Sequence, residues 1–73
     1  MAAKAITSVK EFGMAVREAR KRERLTQRQL ALSVGAGERF IVELENGKET
    51  ARLGKAIEVA AALGITLTLS YET

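Results

Sequence analysis

Arg39 is well suited to read a chemical pattern, because a guanidinium can donate two parallel hydrogen bonds to guanine O6 and N7, worth roughly 1–3 kcal/mol of discrimination. It stands beside Glu38, with Val42 and Glu43 one turn further on, in a stretch where Phe40, Ile41 and Leu44 fall at helical spacing. Glutamate can accept from cytosine N4, so the face formed by Glu38, Arg39, Val42 and Glu43 suits the edges of base pairs. Bond-making chemistry has no comparable support. The chain contains no cysteine and no histidine, which removes disulfides, thiol nucleophiles, imidazole bases and the usual zinc ligands. Its carboxylates and lysines form no clustered pair, so we expect no catalytic residue, metal or cofactor, and no enzyme activity.

Two short helices must position that face. Thr26 and Gln29 form a capping-box pair, Leu30-Ala31 supply a buried side, and Gly35 can take the positive φ of a helix C-cap; a helix is predicted from Thr26 to about Val34. Gly37 repeats the conformational permission after Ala36, and a second helix of about nine residues follows, from Glu38 to the Asn46-Gly47 stop. Two helices joined by a glycine turn over Leu25 to Lys48 are the layout of a helix-turn-helix. In that module the second helix enters the DNA major groove and the start of the first grips phosphate. Glu38, Arg39, Val42 and Glu43 are therefore the groove candidates, with Gly37 at the helix start. Gln29 reads as a cap, and Phe40 and Ile41 read as core.

The same stretch resembles the lambda-repressor/Cro-like (XRE) helix-turn-helix family. The resemblance rests on Leu25-Thr26-Gln27, Leu30-Ala31, Gly35, Ile41, Leu44-Glu45 and Asn46-Gly47-Lys48. Arg17, Arg20 and Arg24 before the motif, and Leu63-Gly64-Ile65-Thr66-Leu67-Thr68-Leu69 after it, are similar to the HipB-type antitoxin branch. That resemblance implies a mainly α, compact four- to five-helix domain whose short C-terminal β-strand joins a homodimer. It makes Gln27 a phosphate clamp, places Arg28 within reach of backbone or base, and sets Asn46 and Lys48 against the opposite phosphate backbone. Asn46 as a turn former alone is the alternative reading. Glu45 and Arg20 resemble a family ion pair that ties the first helix to the recognition helix. Two features depart from the family pattern: Gly37 stands where a Ser or Thr N-cap is usual, and the groove helix carries two glutamates.

The flanks supply the rest of the fold. Ser8 and Glu11 form another capping box, opening a helix whose buried stripe is Val9, Phe12, Val16 and Ala19 and which ends near Arg24. Residues 1–7 carry no strong signal and read as an arm. Beyond the polar connection Lys48 to Ala51, a helix with inner face Leu53, Ala56, Ile57, Ala60 and Leu63 is stopped by Gly64. Ile65, Leu67, Leu69 and Tyr71 then alternate with Thr66, Thr68 and Ser70, the period-two signature of a strand over 65–71. One strand leaves its N–H and C=O groups unpaired, so a homodimer is expected, strand against strand, with Leu67 and Leu69 buried on the helices. A tail folded back on its own core, or paired with Ala3 to Thr7, is the alternative.

At 73 residues the chain has room for one domain, 1–73, with the helix-turn-helix at 26–46. Its net charge of +3 conceals an asymmetry: residues 1–37 hold eight Lys/Arg against three Glu, and residues 38–73 hold four against six. Arg17, Arg20, Lys21, Arg22, Arg24 and Arg28 form the densest basic run, suited to neutralising phosphate. The longest apolar run, Val59 to Leu63, is far short of the ~20 residues of a membrane span. Met1 to Ile6 has no secretory pattern, so the expected location is the bacterial cytoplasm, at the nucleoid. These readings point to a homodimer that binds double-stranded DNA at an inverted repeat, and the resemblance implies a transcriptional repressor whose operator lies in its own promoter. The family resemblance adds a protein toxin as partner, often a HipA-like kinase in that branch. A free-standing phage-type repressor, or an interaction module that keeps the fold without reading DNA, are the alternatives.

Overall fold

A computed structural model describes residues 4–72, so Ala3 and the first part of the expected arm lie outside the described residues. Among these, four helices follow in order: α1 (Val9–Arg22), α2 (Gln27–Val34), α3 (Glu38–Glu45) and α4 (Leu53–Ala62). α3 packs against both α1 and α2, and α4 against α2. The core between them is Val16 and Ala19 of α1, Leu30 and Ala31 of α2, Ile41 and Leu44 of α3, and Ala56, Val59 and Leu63 in and after α4. Phe12 and Phe40 cover its edges. No helix among the described residues is long and apolar enough to cross a membrane.

Local chemistry explains most of the boundaries. Ser8 Oγ accepts the Glu11 N–H at 3.1 Å, while the Glu11 carboxylate turns back to the Thr7 N–H and hydroxyl at 3.1 and 2.6 Å. The second half of the expected capping box thus falls on Thr7 rather than Ser8. These Thr7 hydrogen bonds hold the Glu11 carboxyl below its ordinary pKa. At α2 the box is complete, with Gln29 N–H to Thr26 Oγ1 at 3.0 Å and Thr26 N–H to Gln29 Oε1 at 2.8 Å.

α1 stops two residues earlier than its sequence suggests, at Arg22. Arg24 adopts φ 59°, the left-handed conformation usually left to glycine, and the Leu25 N–H reaches back to the Arg20 carbonyl at 3.1 Å. This closes the helix with a Schellman turn that has no glycine. Relieving the side-chain crowding there should outweigh the entropy of an added glycine, so Arg24→Gly is expected to stabilise by about 0.5 kcal/mol. Thermal unfolding should register this as a Tm roughly 2–4 °C higher.

Two expectations for the C-terminal half need correction. The inner face of α4 is Ala56, Val59 and Ala60, followed by Leu63, whereas Leu53 is 72% exposed and Ile57 is exposed as well. Residues 56, 59, 60 and 63 form one i, i+3, i+4, i+7 stripe. Turning it toward Val59 buries a branched side chain and carries Leu53 and Ile57 to the flank.

Beyond Ile65, which packs on the core, residues 66–72 form no strand and take part in no backbone hydrogen bond among the described residues. A ladder needs a second strand, and the described residues of one chain do not supply it. Leu69 and Tyr71 are 93% and 83% exposed, so the tail is not folded back over its own helices. The burial expected for Leu67 and Leu69 is not provided within a single chain.

Candidate nucleic-acid interface

The angle of α3 is fixed from inside. Glu45, in its last turn, is buried, and its carboxylate accepts Arg20 Nε at 2.6 Å and Arg20 Nη2 at 3.1 Å, a two-pronged pair between α3 and α1. Arg20 Nη1 donates to the Leu25 carbonyl at 2.8 Å, and Gln27 Nε2 donates to Glu45 Oε1 at 3.0 Å. One carboxylate therefore joins α1, the start of α2 and the end of α3. The expected Arg20–Glu45 pair is present, and no buried side-chain nitrogen or oxygen lacks a partner among the described residues. Gln27, read as a phosphate clamp, has its amide N–H group turned inward to this network.

With Ile41, Leu44 and Glu45 facing the core, the opposite side of α3 is open. Glu38 and Arg39 are exposed, the Arg39 side chain by 89%, and Val42 and Glu43 are half-buried one turn on. The four residues expected to share a face do so. Gly37 caps α3 in an extended conformation and provides no side-chain hydrogen bond, so the first N–H groups of the helix lack a side-chain cap. Asn46 is exposed just past α3, and Gly47 at φ 80° turns the chain so that Lys48 returns beside Glu43. Arg28 is exposed on α2.

The sequence gives no sign of how this face is wired. Glu43 sits between two cations, with Oε2 3.4 Å from Arg39 Nε and Oε1 3.2 Å from Lys48 Nζ. The hydrogen bond from Lys48 is the main reason the Glu43 carboxyl is held below its ordinary pKa, with the nearby Arg39 charge helping. Lys55 of α4 is also unforeseen: its ammonium donates to the Val34 carbonyl at 3.2 Å, satisfying the C-terminal end of α2. Gly13 is the third such residue. A Cβ built there would overlap the Leu44 and Glu45 carbonyl oxygens, so α1 runs directly on the last turn of α3. An isolated glycine in a helical pattern is the one trace of this contact in the sequence.

Comparison with known proteins fits this geometry. The helix-turn-helix family model matches residues 16–69. An uncharacterized HTH-type transcriptional regulator of Sinorhizobium fredii, y4mF, is 45% identical over 65 residues, 89% of this chain and 86% of that protein. Among solved structures, a chain of a HipA-HipB-O2-O3 complex superposes with a TM-score of 0.86 at 22% identity, covering 97% of this chain and 100% of that one. A chain of a HipB-O4 20mer complex gives 0.85 at 22% identity, with the same 97% and 100% coverage. At that identity the likeness is one of fold. The family match over residues 16–69, together with the 45% identical regulator, shows that this chain belongs to the helix-turn-helix family of transcriptional regulators.

Proposed function

We propose that the chain is a homodimeric, sequence-specific repressor acting in the cytoplasm, which binds an inverted-repeat operator in its own promoter and serves as a HipB-like antitoxin. The observation that carries this reading is α3 itself. Its Glu38, Arg39, Val42, Glu43 face is open to solvent while a buried three-helix network sets its angle. A base-reading helix needs both properties, because hydrogen bonds to base edges tolerate little misplacement. Arg39 is the principal base reader in this scheme. Arg28, Asn46, Lys48 and the uncapped N–H groups after Gly37 provide phosphate contacts, and Gln27 orients the start of α2.

The unpaired tail supports the dimer. Ile65 anchors it to the core, while Leu67, Leu69 and Tyr71 present an apolar side that a second copy can cover by antiparallel pairing. The antitoxin role draws on fold likeness to chains in complexes that contain HipB, one of them with HipA. A protein toxin is the corresponding partner.

Selection of bound sequences from random duplex DNA by the purified protein, at ~150 mM salt with scrambled competitor, tests the reading. Recovery of an inverted repeat with half-sites roughly 34 Å apart is the expected result. Truncation after Gly64 should weaken dimerisation and operator retention together. Sequence-blind retention alone would overturn specific reading and favour an interaction module, for which Glu38 and Glu43 are the suggestive residues. An operator without a toxin partner in pull-down from the native host would instead indicate a free-standing repressor.

A further inference from the structure

We propose that Glu43 is a specificity-determining residue, whose carboxylate holds Arg39 and Lys48 together and weakens their attraction for phosphate, so that these two cations add little to DNA binding except where Arg39 finds its base. The inference rests on the DNA-reading function proposed above. Each oxygen of Glu43 faces a different cation, Arg39 at 3.4 Å and Lys48 at 3.2 Å. The contact to Arg39 is made through Nε, which leaves both Nη groups as the fork that bidentate recognition of guanine uses. The same carboxylate reduces the charge of this cluster from +2 to +1.

Binding without regard to sequence depends on how many phosphates a protein neutralises, and each neutralised phosphate contributes about 0.9 to the slope of log affinity against log salt. Arg17, Lys21, Arg22, Arg24 and Arg28 are exposed and have no acidic partner within ion-pair distance among the described residues. They are available to phosphate anywhere on DNA. Arg39 and Lys48, the cations beside the reading face, are tied to Glu43 instead. In water a paired surface cation is only lightly held, but the pair strengthens where a groove excludes solvent. A non-cognate site thus gains little from either cation, whereas a cognate site gains the fork of Arg39 already aimed.

The test compares the full-length protein with Glu43→Gln and Glu38→Gln, on the selected inverted repeat and on scrambled duplex, across a salt series. Glu38 is on the same face but pairs with no cation among the described residues, so its variant removes a charge without releasing a pair. For Glu43→Gln we expect affinity for scrambled DNA to rise about fivefold or more, with a salt slope steeper by about 1 to 2. The ratio of specific to non-specific affinity should fall several-fold. Glu38→Gln should change the slope by less, and in an Arg39→Ala background Glu43→Gln should lower the ratio no further. Equal effects of the two glutamine variants, or an unchanged ratio, would overturn the role of Glu43 while leaving operator recognition intact. A wild-type protein with no preference for an inverted repeat would overturn the DNA-reading function itself.

Discussion

Glu45→Ala should lose a large share of the folding stability of this protein. The substitution leaves the Arg20 guanidinium buried without its carboxylate, and breaking a buried pair by removing one partner costs about 3–5 kcal/mol. Gln27 Nε2 loses its acceptor at the same time, which adds on the order of 1 kcal/mol. At roughly 0.05–0.15 kcal/mol per residue, a domain of this size has about 4–11 kcal/mol in all. The change therefore removes a large share, and urea denaturation at fixed protein concentration should show a midpoint far below the wild-type value. A paired replacement separates geometry from charge. Arg20→Met with Glu45→Leu puts apolar groups of similar volume in the same space and strands no charge, so it should cost far less than Glu45→Ala, about 1–2 kcal/mol for the hydrogen bonds lost by Gln27 Nε2 and the Leu25 carbonyl. That double variant should fold yet bind operator poorly, since nothing then holds Gln27 at the start of α2. If Glu45→Ala cost less than about 1 kcal/mol, the network would not be what fixes α3.

The parts of this site that could be read from the sequence are those set by local rules. Thr26 with Gln29 specifies the start of α2, and Gly35 and Asn46-Gly47 specify two helix ends, because a cap is formed by residues three or four apart. The exposed face of α3 was legible for the same reason, through the spacing of Ile41 and Leu44. The partner of Glu45 came from resemblance to a known motif, since no local pattern links residues 20 and 45. What was not legible depends on tertiary context. α1 ends at Arg22, and its closing turn places Arg24, not a glycine, in the left-handed conformation while Leu25 packs on the core, so the usual stop signal is missing. The α4 stripe contains alanines at several phases, and only the rest of the core decides that Val59 goes inward. Glu43 between Arg39 and Lys48 reads in sequence as one more charge on a helix. Its role depends on Gly47 turning Lys48 back toward it.

Gly13→Ala and Gly54→Ala are the same substitution on two helices, and they should have opposite signs. Alanine is the better helix former by about 0.5–1 kcal/mol, and at Gly54 of α4 a new Cβ meets nothing within 4 Å. Gly54→Ala should therefore raise the Tm by a few degrees. At Gly13 the same Cβ would overlap the Leu44 carbonyl oxygen and lie 2.9 Å from that of Glu45. Both are backbone atoms, so no side-chain rotation relieves the contact, and α1 must move away from the last turn of α3. Overpacking of this kind costs about 1–3 kcal/mol, occasionally more. It acts on the turn that carries the Glu45 carboxylate to Arg20, which strains the buried pair as well. A loss of about 2 kcal/mol is expected after the gain in helix propensity, with the Tm lower by about 8–16 °C. The displacement also reaches function: α3 should tilt on its seat, and operator affinity should fall even at temperatures where the variant remains folded. A Gly13→Ala protein as stable as wild type would mean that α1 does not rest on the end of α3, and that the recognition helix is held by the Glu45 network alone.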